Sequence, residues 1–201
     1  WGPYSPWHKF GAPKGIAALY IRHRCLNEGS DGSVLLMGGG QEGGQRGGTE
    51  NVPYIVGMGR AAKLLLEKRK DSSSTRDVWE FNLLWMEQMR DRLLKNIVDG
   101  LQNITTICVN GPSDPKNRLP NTLLIGLKGV KSGSLLANIG NNIACSTGSA
   151  CHSSNSSSAG CHVPPEFEVG TLRLSVGPDT TEEDVDRAAS IVEEARRQLG
   201  F

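Results

Sequence analysis

Between positions 77 and 99, apolar side chains recur at Val78, Phe81, Leu84, Trp85, Met89, Leu93 and Ile97, mostly in steps of three and four. That spacing puts them on one stripe of a helix, and a stripe of this length has to be buried against a partner layer. It is the longest amphipathic pattern in the chain, and Trp85 and Met89 read as core rather than as part of a cofactor box. The partner layer is legible downstream. Residues 105–109 and 121–127 read as strands, with a turn at 111–117 between them, and a short helix is predicted over 132–139. Strand-like 143–145 then leads into a polar loop. Residues 171–176 alternate, so that Leu172, Leu174 and Val176 share one face and Thr171, Arg173 and Ser175 the other. Pro178 to Glu183 supplies an N-cap followed by acidic residues, and opens a helix running to about residue 199. Beyond Gly100 the texture is α+β.

The earlier part of the chain is looser. Residues 8–15 form a turn-rich loop, followed by a short buried strand at 16–22. Seven of the fourteen residues from Gly38 to Asn51 are glycine. Such a backbone can bring its N–H groups close to an anion. Arg46, Thr49 and the helix that follows add a charge, a hydroxyl and a dipole suited to a phosphate. The loop lacks both GxxxxGK[ST] and GxGxxG, so a flexible surface turn is an equally open reading. A helix is predicted over 52–69 with Pro53 in its first turn, and 71–75 reads as a linker that offers an N-cap.

Composition narrows the classes. The chain has 201 residues, 37% of them hydrophobic, which is enough for a core. Its 22 basic and 21 acidic residues are spread along the whole length, which argues against nucleic acid or an anionic membrane as the main partner. No apolar run approaches the about 20 residues that cross a bilayer. Five scattered cysteines do not suggest a disulfide framework, so a reducing compartment is expected, the cytoplasm or an organelle. The abrupt opening at Trp1, with neither an initiator Met nor a signal peptide, reads as a piece of a longer protein.

The chemistry-bearing residues are few. Cys151 stands in Ser149-Ala150-Cys151-His152-Ser153, at the start of a Ser/Asn-rich tract with little to build a core from. An exposed cysteine beside His152 has the making of a thiolate nucleophile, although cysteine is more often a small buried residue. Lys9 alone is an ordinary surface lysine. Arg173, on its strand, is either an exposed edge charge or a clamp for a carboxylate. Cys151-His152 and Cys161-His162 form two Cys-His pairs ten apart, which match no zinc-ligand spacing, so no metal is expected.

Three motifs, in order, resemble the pyridoxal-phosphate enzymes of aminotransferase class V, in the cysteine desulfurase and selenocysteine lyase branch. His8-Lys9 with Pro13-Lys14-Gly15-Ile16-Ala17-Ala18-Leu19-Tyr20 is similar to the segment bearing the Schiff-base lysine. Gly38-Gly39-Gly40-Gln41-Glu42 through Arg46-Gly47-Gly48-Thr49 resembles the stretch whose threonine reaches the cofactor phosphate in the partner subunit. Ser149-Ala150-Cys151-His152-Ser153 with Leu172-Arg173-Leu174-Ser175-Val176-Gly177 resembles the nucleophile loop and the carboxylate-binding arginine. Within the branch, Arg118-Leu119-Pro120-Asn121-Thr122 and the wording around Cys151 and Arg173 look closer to selenocysteine lyases.

The resemblance implies a fold and a site. The fold is the C-terminal part of an α/β, fold type I, PLP-dependent transferase: a remnant of the large cofactor domain over 1–75 and a small α+β domain over 76–201. It implies pyridoxal 5'-phosphate held by His8, Lys9, Arg46 and Thr49, with Lys9 and Cys151 catalytic and Arg173 binding an amino-acid substrate. Sulfur or selenium would be removed from cysteine or selenocysteine to leave alanine, then passed from Cys151 to an acceptor protein by a homodimer. The family's chain is longer than this one. Its preceding half supplies the ring-stacking histidine, the aspartate at the pyridine nitrogen and most phosphate ligands. Pro6-Trp7 and Phe10-Gly11-Ala12-Pro13 also depart from the family's wording around the lysine. The alternative is an inactive remnant that acts as a partner-binding or persulfide-relay module.

Overall fold

The chain is described by a computed structural model at residues 7–20, 36–70, 75–147 and 164–200. It divides into two compact units, Trp1–Trp79 and Glu80–Phe201.

The second unit is built on an antiparallel sheet of three strands, β3 (Ile107–Val109), β4 (Thr122–Leu127) and β5 (Thr171–Ser175), in the order β3-β4-β5. Register decides what each face carries. Val109 pairs with Ile125 and Ile125 with Leu172, while Leu123 pairs with Leu174. Alternation therefore gathers Leu123, Ile125, Leu127, Leu172 and Leu174 on one face, all of them buried. The opposite face carries Cys108, Leu124, Gly126, Thr171, Arg173 and Ser175. The division expected for 171–176 is thus present, with Leu172, Leu174 and Val176 buried and Arg173 and Ser175 exposed.

Three helices complete the core. From α2 (Val78–Leu101) come Met89, Leu93, Ile97 and Leu101; from α3 (Ser132–Ile139), Leu135 and Ile139; from α5 (Glu182–Gln198), Val185, Ala189, Val192 and Ala195. Each large side chain removed from water here contributes about 1.5–3 kcal/mol. The α2 stripe turns inward later than its pattern suggests, because Leu84 is exposed and Phe81 only half-buried. Trp85 marks the change: it packs on the core, and its Nε1 donates to the Thr180 carbonyl at 2.9 Å. That bond ties α2 to the turn that opens α5. There a capping box closes the helix end, with Thr181 Oγ1 accepting from the Asp184 N–H at 3.1 Å and Asp184 Oδ2 accepting from the Thr181 N–H at 3.0 Å. Arg92 grips both Asp186 oxygens at 2.8 Å, Asn96 donates to the same carboxylate at 2.7 Å, and Arg92 also pairs with Glu182. The final helix forms as the sequence predicts.

The first unit has little interior. A 3-10 turn, Trp7–Phe10, packs against α1 (Val52–Leu65). Asn51 caps α1, its side chain accepting from the Tyr54 N–H at 3.3 Å. Only Ala61 of α1 is buried, while Val52, Tyr54, Ile55, Val56 and Leu64 are exposed. The helix stops short of 69. Turn bonds from the Leu66 and Glu67 N–H groups to Lys63 and Leu64 end it, and the next residues enter a strand. That strand, β1 (Lys68–Lys70), pairs antiparallel with β2 (Thr75–Asp77), and Lys68 Nζ lies 2.6 Å from Asp77 Oδ1. The linker expected at 71–75 therefore includes one strand of a hairpin at Thr75.

Two further strand expectations are corrected. Over 16–20, only Ala18 makes a bridge and Tyr20 is 75% exposed; positions 21–22 lie outside the described residues. A buried strand takes its burial from neighbours on each side, and the described residues supply no ladder along this one. At 143–145 no strand forms; the pairing begins one residue later, at Ser146.

Candidate functional site

The face of the sheet opposite the core carries the second unit's candidate chemistry. Arg173 lies mid-β5, between Thr171 and Ser175 on that face, with its side chain exposed. No hydrogen bond or ion pair engages its guanidinium among the described residues, so five N–H donors stand ready for an anion. β4 pairs with one edge of β5. At the other edge, the Arg173 N–H donates to the Ser146 carbonyl at 2.6 Å and the Ser146 N–H to the Arg173 carbonyl at 3.1 Å. Thr171 Oγ1 then donates to the Thr147 carbonyl at 2.7 Å.

The chain returns to the same place. At α4 (Pro165–Glu168), Phe167 lies against Gly126, where an added Cβ would come within 2.7 Å of the Phe167 Cβ. Gly126 is the register partner of Thr171. Gly170 follows, and a Cβ there would drive into the Leu127 carbonyl, so only glycine admits this crossing. Ser132 Oγ fastens the crossing: it lies 2.7 Å from the Val169 carbonyl and 2.8 Å from that of Thr171, and its single O–H is shared between them. The segment 148–163 thus has both of its flanks fixed beside Thr171, two residues from Arg173. Cys151 falls in that segment and lies outside the described residues. Cys145, just before it, is half-buried, and burial pushes its thiol pKa up, which makes it a poor source of thiolate.

The first unit holds the other candidates. Lys9 is exposed on the 3-10 turn, while the side chain of His8 lies outside the described residues. Further along the same segment, a Cβ on Gly57 of α1 would stand 2.8 Å from Pro13 Cγ, so the loop after Lys9 seats directly on the helix. The glycine-rich loop is folded on itself. The Gly47 N–H donates to the Leu36 carbonyl at 2.8 Å, and Gly38 and Gly47 touch backbone to backbone, with no room for a Cβ on either. Gln41 Oε1 accepts from the Gly48 N–H at 3.2 Å, and Arg46 Nη1 donates to the Gly48 carbonyl at 3.3 Å. Glu50 Oε1 is buried without a hydrogen-bond partner among the described residues, and Arg46 Nη1 lies 4.0 Å away, a long ion pair. Thr49 is exposed, just before the capped N-terminus of the fourteen-residue α1. A guanidinium, a free hydroxyl and the positive end of a helix dipole make a donor set that fits a phosphate.

Sequence reasoning placed Arg173 on its strand but missed what frames it. Ser146 and Thr147 carry no pattern that marks a bridge. The Pro164-Pro165 pair was a usable signal for α4, since proline suits a first helical turn. Among the described residues no group of three or more His, Cys, Asp or Glu forms a metal cluster, and no helix is long and apolar enough to cross a membrane.

Comparison with known proteins is consistent across sequence and structure. The chain is 39% identical over 197 residues to cysteine desulfurase IscS of Methanosarcina thermophila, covering 96% of this chain and 44% of that protein. It is 37% identical over 200 residues to a cysteine desulfurase of Sinorhizobium fredii, covering 96% and 46%. The chain therefore spans less than half the length of these relatives. A NifS-like protein of known structure superposes with a TM-score of 0.63 at 28% identity, over 97% of this chain and 45% of its own. The profile named Aminotransferase class-V matches residues 4–188, and the chain belongs to that family, whose α/β fold it shares.

Proposed function

We propose that this chain is the C-terminal part of a pyridoxal-phosphate-dependent cysteine desulfurase, with Cys151 as the sulfur acceptor. The observation that carries the reading is the anchoring of both flanks of the Cys151 segment beside Thr171, next to the unpaired guanidinium of Arg173. From Thr147 to Cys151 is four residues, a reach of at most roughly 14 Å. Residues 1–75 belong, on this reading, to the large cofactor domain, and 76–201 form the small domain.

Thr49 and Arg46 would hold the cofactor phosphate, Thr49 from a partner copy in a homodimer, with Lys9 at the aldehyde and His8 beside it. When bound, the cofactor supplies an electron sink at the substrate's Cα. Arg173 pairs with the substrate carboxylate through a two-pronged contact that fixes the side-chain sulfur relative to the loop. Lys9, an exposed amine, moves the α-proton. The Cys151 thiolate attacks the substrate sulfur and forms a sulfur–sulfur bond. The carbon–sulfur bond breaks with its electron pair staying on carbon, a proton adds there, and alanine departs. The persulfide on Cys151 is then carried to an acceptor protein by the segment that holds it.

The test is mass spectrometry of Cys151 after incubation with pyridoxal phosphate and cysteine, with selenocysteine in a parallel arm, together with the visible absorbance of the added cofactor. A sulfur adduct on Cys151, lost in Cys151→Ser and cut at least about tenfold in Arg173→Gln, is expected. A visible band that Lys9→Ala abolishes is expected alongside it. A sulfur adduct that forms from an added persulfide donor without cofactor, and never from cysteine with cofactor, would replace this reading with a persulfide relay. A stronger adduct from selenocysteine would shift the substrate to the selenium amino acid.

A further inference from the structure

We propose that a cavity at the C-terminal end of α5 is a binding site for a small oxyanion, a carboxylate or a phosphate. The cavity has a volume of about 460 Å³ and is lined by Ile104, Thr105, Thr106, Lys128, Gly129 and Arg196. Arg196 is the reason to expect a ligand. Its side chain is 3% exposed, and its Nε and Nη1 are sealed from solvent with no hydrogen-bond acceptor. No ion pair to it is found among the described residues. Arginine does not shed its proton in a protein, so the charge stays and has to be balanced. The negative end of the α5 dipole offers partial compensation, but no acceptor for those donors.

The remaining lining completes an anion site. Lys128 stands at the rim, its Nζ 2.9 Å from Glu166 Oε2 in a pair that is half-exposed on both sides. Such a surface pair is weak and exchangeable, so the ammonium can turn to an incoming anion. The Thr105 hydroxyl is committed to the Lys128 carbonyl at 2.8 Å, whereas the side chain of Thr106, another lining residue, makes no hydrogen bond among the described residues. Arg196, Lys128 and Thr106 therefore border one space together with the apolar Ile104. That suits a small organic acid or phosphate ester better than a neutral ligand. The site involves none of Lys9, Arg46, Thr49, Cys151 or Arg173, so it stands independently of the proposed sulfur chemistry.

The test is titration of the full 201-residue chain with sodium phosphate and, in parallel, sodium acetate, against sodium chloride at matched ionic strength. The side-chain Nε–H signal of Arg196 is followed by nuclear magnetic resonance and identified by its loss in Arg196→Lys. A saturable shift with one of the two oxyanions is expected, with a dissociation constant on the order of 1 mM. The tighter of the two names the chemistry, phosphate ester or carboxylic acid. Lys128→Gln should weaken binding by about threefold to tenfold, and Glu166→Gln, which frees Lys128, should strengthen it. Both side chains are exposed, so these variants keep the test valid if Arg196→Lys fails to fold. Absence of a saturable shift with either anion, or an unchanged affinity in Lys128→Gln, would overturn the proposal.

Discussion

The two units of this chain spend their apolar residues differently. In Glu80–Phe201, residues from α2, α3, α5 and two strands of the sheet close around one another, and eight large side chains from Ile97 to Val192 are fully buried. Among the described residues of Trp1–Trp79 the buried apolar ones are Ala12 and Ala61, while Val56 and Leu66 are each 66% exposed and Met37 94%. The second unit thus carries the means of its own stability. In the first, the described apolar residues of α1 are largely exposed. The candidate residues divide along the same line: a sheet face over a buried core presents Arg173, while Lys9 and the glycine-rich loop sit on elements with few buried apolar residues among those described.

The sharpest way to break this contrast is to shorten side chains in each unit. Ile125→Ala, at a residue with no exposure, should cost about 3 kcal/mol in denaturant unfolding, whereas Val56→Ala should stay within about 0.5 kcal/mol. Equal losses would show that α1 has a packing partner after all. Next in size is Gly170→Ala, which forces a methyl against the Leu127 carbonyl and should cost about 2 kcal/mol while loosening the crossing that flanks Arg173. Thr181→Ala removes one half of the α5 capping box and should cost about 1 kcal/mol, visible as a lower Tm.

The smallest expected effect is electrostatic. Hydrogen bonding to Arg92 holds the Asp186 carboxyl below its ordinary range, and the Thr181 cap does the same for Asp184. A depressed native pKa means that these groups add stability above the unfolded value of about 4, and that it is lost as pH falls through the lower native value. Unfolding midpoints of the wild type should therefore fall below about pH 4 more than those of Asp186→Asn. A parallel pair of curves would remove Asp186 from the account.

How much of this was readable beforehand follows the same contrast. The α5 helix, its cap and the two faces of β5 were legible because periodicity and burial agree there: Leu172 and Leu174 point at a core that this chain itself supplies. Residues 16–22 have the composition of a buried strand, yet over the described part only Ala18 is paired, because a strand pattern states a preference that neighbours must satisfy. The β1–β2 hairpin was hidden for another reason. Lys68-Arg69-Lys70 has no apolar face to announce a strand, and what holds it is backbone pairing and the Lys68–Asp77 contact. Alternation placed Arg173 on the outer face of its strand, but its frame of Ser146, Thr147 and Phe167 depends on long-range pairing and packing that leave no local signature.

The central claim is that the segment carrying Cys151 works over the face that presents Arg173. It is tested most directly by placing a second thiol at that position. In Arg173→Cys, with Cys25, Cys108, Cys145 and Cys161 replaced by serine, mild oxidation should join positions 151 and 173 rapidly, since a disulfide needs Cα atoms within about 7 Å. Rapid cross-linking between these two positions, faster than from a control cysteine at Ser190 on α5, is the predicted result. A Cys151 that never bridges to position 173, while the fold remains intact, would contradict the account.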